Sequence, residues 1–146
     1  MRRAKHARAL RLDKNFTPVS VDEGDEFYPN GIFAFNITKM LEYIHNHRNQ
    51  FIPTPAAVKD FACESPSIRD VDSADISRPV ILAEIAPGRY NLIDGHHRME
   101  KARRAGLEHI MAYRVHMEQH LQFLTTHKAY SAYVEYWNSK LKEGLA

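Results

Sequence analysis

Asp94-Gly95-His96-His97-Arg98 sets a carboxylate, a glycine, two imidazoles and a guanidinium in consecutive positions. Leu92 and Ile93 close an apolar run just before them. Met99, Ala102 and Ala105 follow at helical spacing, and Gly106 stands where a left-handed C-terminal cap is expected. The stretch from Tyr90 to Gly106 therefore reads as a buried strand, a one-glycine turn and a short helix. Gly95 lets the chain turn sharply and lets a ligand approach the backbone. A helix that opens straight from a strand aims unpaired amides and a partial positive charge beyond the strand end. With Arg98, His96 and His97 at the same place, the expected chemistry is anion binding, above all phosphate.

Each side chain carries more than one reading. Arg98 is a permanently charged, forked donor to phosphate, or it pairs with Asp94 or Glu100. His97 is a donor whose charge follows pH. His96 is a proton shuttle, a ligand contact or a filler of the turn. Asp94 is a general base toward a hydroxyl, a Mg²⁺ contact beside phosphates, or the cap of the following helix. Glu100 is expected to be an ordinary helix acid. Asn30 and Asn36 either line a pocket or serve a turn and a cap. No metal site is expected from protein ligands: adjacent histidines do not share a helix face, and cysteine ligands are absent.

The elements that position these residues follow from pattern. Residues 1–12 are Ala/Arg-rich and could form a helix; Phe16–Val21 reads as a short strand and Tyr28-Pro29-Asn30-Gly31 as a turn. Asn36 is the N-cap of a helix whose Ile37, Met40, Leu41 and Ile44 share one face, ending near His47. Thr54-Pro55 starts a second helix with Val58, Phe61 and Ala62 facing inward. Residues 64–77, rich in Asp and Ser, read as a loop. Residues 80–85 and 89–93 form a hairpin around Pro87-Gly88. The helix over 96–105 and a strand over 110–115 come next. A long amphipathic helix over 117–142 ends the chain, burying Leu121, Leu124, Val134, Trp137 and Leu141, with Tyr130, Tyr133 and Tyr136 widening the stripe.

The predicted class is α+β: a small mixed or antiparallel sheet with packed helices. The domain plan is a basic tail over 1–14 and one domain over 15–146, which suits a length of 146 residues. Hydrophobic and charged contents of 44% and 26% are those of an ordinary folded chain, and a net charge of +2 does not by itself call for nucleic acid. Arg2, Arg3, Lys5, Arg8 and Arg11 crowd the N-terminus, so residues 1–12 are the segment through which nucleic acid would bind. The lone Cys63 allows no internal disulfide and suits the cytoplasm. No apolar run nears the roughly 18 residues of a membrane span.

The block from Arg78 to Val115 resembles the ParB/sulfiredoxin-like domain family. Partition ParB proteins carry Gly-Glu-Arg-Arg after a strand, then Ala-Gly; here Gly95-His96-His97-Arg98 leads to Ala105-Gly106 at the same spacing. Sulfiredoxins carry Gly-Gly-Cys-His-Arg, which Asp94–Arg98 matches at the second glycine, the histidine and the arginine. Pro79-Val80 is similar to the family's strand opening, and a free-serine kinase among stand-alone members carries an Asp-Gly-x-His-Arg type of box. The resemblance implies a nucleotide (ATP, ADP or CTP, with or without Mg²⁺) whose phosphates are held by Gly95, His97 and Arg98. It also implies a phosphotransferase or nucleotide hydrolase in which Asp94 and His96 are the catalytic candidates. His96 occupies the sulfiredoxin cysteine position, so sulfinic-acid reduction is not expected. The chain has no room for the helix-turn-helix domain of partition ParB proteins. The alternatives are a DNA-binding protein or ParB-like nuclease, and a non-catalytic module that dimerises through the 117–142 helix.

Overall fold

The computed structural model describes residues 8–30, 33–61 and 68–145. In chain order the elements are β1 (Phe27–Asn30), β2 (Phe33–Asn36), α1 (Ile37–Asn46), β3 (Thr54–Ala57), α2 (Ile68–Ser73), β4 (Val80–Ala86), β5 (Arg89–Asp94), α3 (His96–Arg104), β6 (His109–Val115), α4 (Met117–His120) and α5 (His127–Leu145). Among the described residues they form an α+β fold with a four-stranded sheet, ordered β3-β6-β4-β5, and a two-stranded β1-β2 ribbon. None of these helices is long and apolar enough to cross a membrane.

β4 is the centre. Its sequence, Val-Ile-Leu-Ala-Glu-Ile-Ala, is apolar on both alternating faces save for Glu84, and every residue of it is buried. Such a strand must be covered on both sides. Ile81, Ala83 and Ile85 face the larger core, built with α1 and α5; Val80 and Leu82 face a smaller one, closed by Met99 and Ala102 of α3. β5 pairs antiparallel with β4, and β6 parallel with it. α3 carries the chain from one side of β4 to the other. The Glu84 carboxylate is held inside the strand by two amides: Gly88 N–H donates to Oε2 at 2.9 Å and Met117 N–H to Oε1 at 3.1 Å.

Several expectations give way. Thr54-Pro55 opens β3 rather than a helix, and only a single 3₁₀ turn follows, Val58–Asp60. Pro55 is tolerated because β3 is an edge strand; Thr54–Ala57 pair with His109–Ala112 of β6. Tyr28-Pro29-Asn30, read as part of a turn, belongs to β1, and Gly31 lies outside the described residues. Residues 68–73, read as loop, form α2 and bury Val71. Phe16–Val21 is not a strand; Phe16 stacks on Tyr130 at 4.0 Å between ring centroids. Cys63 and Ala62 lie outside the described residues.

The C-terminal helix is interrupted. After α4 and a 3₁₀ turn (Leu121–Phe123), Leu124 is extended and bridges to Phe35, and Thr125 N–H donates to Ala34 O at 3.0 Å. β2 thus captures the strand-like link. α5 then restarts, with Thr126 Oγ1 accepting from Ala129 N–H at 2.9 Å. Leu124, Tyr130, Tyr133, Val134 and Trp137 are buried as expected, whereas Tyr136 is exposed. The described part of the N-terminal segment is not a helix or a loose tail. Trp137 Nε1–H donates to Arg8 O at 2.9 Å, and Asn138 both donates to Leu10 O at 2.9 Å and accepts Leu10 N–H at 2.7 Å. Arg2, Arg3 and Lys5 lie outside the described residues.

Candidate functional site

The strand, turn and helix around Gly95 form as the sequence indicates. β5 ends at Asp94, and α3 starts at His96 with Gly95 as its N-cap at φ 99°, ψ 27°. A positive φ favours glycine, but space is the stricter reason here. A Cβ on Gly95 would sit 2.5 Å from Val80 Cγ1 and 3.2 Å from Arg98 Cζ. The space a Cβ would need is filled by Val80, while Gly95 itself lines the cleft at the start of α3. A glycine cap brings no side chain of its own to the first amides of α3. Gly106 takes the left-handed conformation expected of it, at φ 75°.

A cleft of about 570 Å³ opens at this helix end. Three walls meet there. Ile93, Asp94, Gly95, His96, His97 and Arg98 form the floor. Glu26, Phe27, Tyr28 and Ile37 come from the β1 ribbon and the start of α1. Ser73, the last residue of α2, and Ala74, Asp75 and Arg78 of the segment after it form the third wall. His97 is exposed, His96 half-buried, and Arg98 buried. Tyr28 stacks on His96, with ring centroids 5.0 Å apart and planes 26° apart.

Arg98 is engaged by its own chain. Its Nη1 donates to Pro79 O at 2.5 Å and Arg78 O at 3.2 Å, and its Nη2 to Asp94 Oδ2 at 3.1 Å. One turn later, Lys101 Nζ donates to Asp72 O at 2.9 Å and Ala74 O at 2.8 Å. Arg98 and Lys101 together fasten the 72–79 wall to α3. Of the two readings for Arg98, pairing with Asp94 describes the geometry, with two carbonyls added. Asp94 is the partner of Arg98, and the capping position belongs to Gly95. Asp75 accepts from Ser77 Oγ at 2.6 Å and Ser77 N–H at 3.0 Å, which hold its carboxyl below the usual range. Arg78 is the exposed guanidinium of the cleft.

Glu100 is not an ordinary surface acid. It is 4% exposed, and Arg103 and Arg104 fold over its carboxylate; Arg104 Nε–H donates at 2.7 Å. The Arg103 hydrogen bond, then that of Arg104, brings its carboxyl down to about 2. Asn36 caps α1 through Lys39 N–H at 3.0 Å and donates to Asp25 at 3.0 Å, while Thr38 Oγ1 accepts Glu26 N–H at 2.8 Å. The Asp22 amide, then Asn36, holds the Asp25 carboxyl below its usual range. These bonds set the ribbon wall against α1.

Phe27, Tyr28, Asp75 and Arg78 were not singled out as site residues from sequence. Arg78 had a signal. In the β4-β5 hairpin Ile81 lies opposite Asp94, so the chain entering β4 must run beside the chain leaving β5. The ribbon residues carried no local signal, because they reach the cleft by tertiary packing. Among the described residues, no group of three or more histidine, cysteine or acidic side chains could hold a metal ion. No family model matches this chain, nor does any curated protein or solved structure.

Proposed function

We propose that the chain is a ParB/sulfiredoxin-like domain whose cleft binds a phosphate-bearing ligand, with the phosphate at the start of α3. One observation carries this reading: a glycine-capped helix N-terminus faces a cleft beside Arg78, His96 and His97. Backbone amides and the helix dipole supply a fixed positive potential there, and the guanidinium supplies a forked donor. Arg98 acts from behind. It holds Asp94 and the 78–79 carbonyls, and so sets the distance between the two walls.

The cleft lining has two arginines against three carboxylates, Glu26, Asp75 and Asp94. A polyphosphate would balance that excess of acid by entering with Mg²⁺, which needs only one or two protein carboxylates when phosphates supply the other oxygens. Asp94 and Asp75 are the residues placed to contribute. The ion would supply charge neutralisation at the phosphates. An acceptor hydroxyl brought beside Asp94 would turn the binding site into a phosphotransferase site.

Thermal melting tests the reading. Wild type and Arg78→Ala are heated with millimolar pyrophosphate, ATP, ADP, CTP or GTP, each with and without Mg²⁺. A ligand at about 100 times its dissociation constant adds roughly 2.7 kcal/mol, a rise of several degrees for a domain of this size. The expected result is a rise in wild type that Arg78→Ala loses. No rise with any of the ligands overturns the phosphate reading.

A further inference from the structure

We infer that Lys101 is a positioning residue of the cleft: it holds the first end of the 72–79 wall and so sets whether Arg78 reaches a phosphate at the start of α3. This role rests on the phosphate reading above. It falls to a residue outside the cleft lining, so Lys101 acts through the wall and not on the ligand.

Packing does not place this wall. Val71 and Val80 are buried at its two ends, but none of residues 72–79 is: Ala74, Ile76 and Pro79 are half-buried and the others exposed. The bonds within the wall make it stiff without locating it. Asp75 O accepts Arg78 N–H at 3.1 Å, and the Asp75 carboxylate accepts from Ser77 N–H and Oγ, which closes a turn over residues 75–78. A stiff turn moves as one body, so its place is set where it is gripped. α3 grips it at both ends, through main-chain carbonyls. Lys101 Nζ donates to Asp72 O and Ala74 O at 2.9 and 2.8 Å, and Arg98 Nη1 to Arg78 O and Pro79 O at 3.2 and 2.5 Å. Residues three apart on a helix share a face, so both cations meet the same wall. A grip on carbonyls leaves the Arg78 side chain to line the cleft. With Arg98 alone the turn would be held at one end and could swing about residues 78–79. Lys101 fixes the other end. Its ammonium also suits the C-terminal end of α2, where carbonyls lack partners within the helix.

Equilibrium titration with inorganic pyrophosphate compares wild type with Lys101→Met, Lys101→Arg, Arg78→Ala and the double variant Lys101→Met/Arg78→Ala. Lys101 is half-exposed and belongs to neither apolar cluster, so Lys101→Met should keep the fold. A cooperative melt verifies this, and Lys101→Gln replaces Lys101→Met if the melt is lost. Lys101→Met should weaken binding about tenfold or more, the scale of one charge-assisted hydrogen bond. Lys101→Arg, which restores a donor, should recover most of that loss. The double variant should bind no more weakly than Arg78→Ala alone, because a displaced wall costs nothing further once Arg78 is gone. A residue that only stabilised the fold would show no such coupling. Wild-type affinity in Lys101→Met, no recovery in Lys101→Arg, or a double variant weaker than Arg78→Ala overturns the positioning role and leaves the phosphate site standing. If wild type binds no pyrophosphate, the phosphate reading fails and takes this role of Lys101 with it.

Discussion

Arg98 separates two roles that a sequence motif merges. A guanidinium that contacts phosphate and one that braces the wall beside it would both be lost by the same substitution. The 9% exposure of Arg98 and its bonds to Asp94, Arg78 O and Pro79 O place the brace first. Arg98→Ala should therefore cost about 2–3 kcal/mol in urea unfolding without any ligand, because it strands a half-buried carboxylate and two carbonyls. Arg78→Ala, at an exposed position, should stay within about 0.5 kcal/mol of wild type. Equal stability of the two variants would remove the brace. His120 gives a second prediction at this scale. It is fully buried; its Nε2–H donates to Glu84 O at 2.6 Å, beside the Tyr133 hydroxyl, which donates to the same oxygen at 2.7 Å. His120 Nδ1 is left bare, and burial lowers its pKa to about 4. The unfolded chain takes up this proton from pH 6.5 downward, whereas the folded chain resists it until about 4. Stability is thus whole above pH 6.5 and falls between 6.5 and 4, by an amount on the order of 3 kcal/mol. Urea midpoints across that range should show the loss in wild type and a flatter profile in His120→Gln.

Among the elements, those whose reasons are local could be read directly. Asn36 and the Ile37, Met40, Ile44 stripe define α1; β4, the Pro87-Gly88 turn, β5, Gly95 and α3 follow in one unbroken run of strand, turn and helix signals. Elements decided by distant chain could not be read this way. Thr54-Pro55 suits a helix start and an edge strand equally well, and the choice is made by β6, more than fifty residues away. The 117–142 periodicity is real, but Phe35 and Ala34 take Leu124 and Thr125 into an extended link. Of the site, Asp94–Arg98 was legible, while Phe27 and Tyr28 were not, for the same reason. The break makes Thr126 an N-cap that an unbroken helix would not need. Thr126→Ala should cost about 1 kcal/mol in thermal or urea unfolding; no change would mean that the packing of Tyr130 and Tyr133 alone fixes the start of α5.

Across the whole molecule, β4 divides two cores of unequal size, and the cleft sits where its entry meets the exit of β5. α3, with the smaller core beneath it, is tied outward to the 72–79 wall by Arg98 and Lys101. The N-terminal segment belongs to the other side, clasped by Trp137 and Asn138. Arg8 and Arg11 therefore start from the surface of α5, away from the residues that line the cleft.

The central position of β4 has a consequence for when different amides meet solvent. With strands on both sides and apolar layers above and below, its N–H groups exchange with deuterium only when the molecule opens globally, so they should be the last to label. Among the described residues the β1-β2 ribbon has two strands and, beyond β2, only the short Leu124–Thr125 link, so the amides of β1 should label through local opening well before them. Phe27 and Tyr28 ride on that ribbon, whereas Gly95 is wedged against Val80 of β4. A ligand filling the cleft would then bridge the slowest and the faster-labelling parts of the chain. Its clearest signature would be slowed deuterium uptake at residues 27–30 with little change in β4. Uniform labelling of ribbon and β4 in the free protein would show that the two open as one unit.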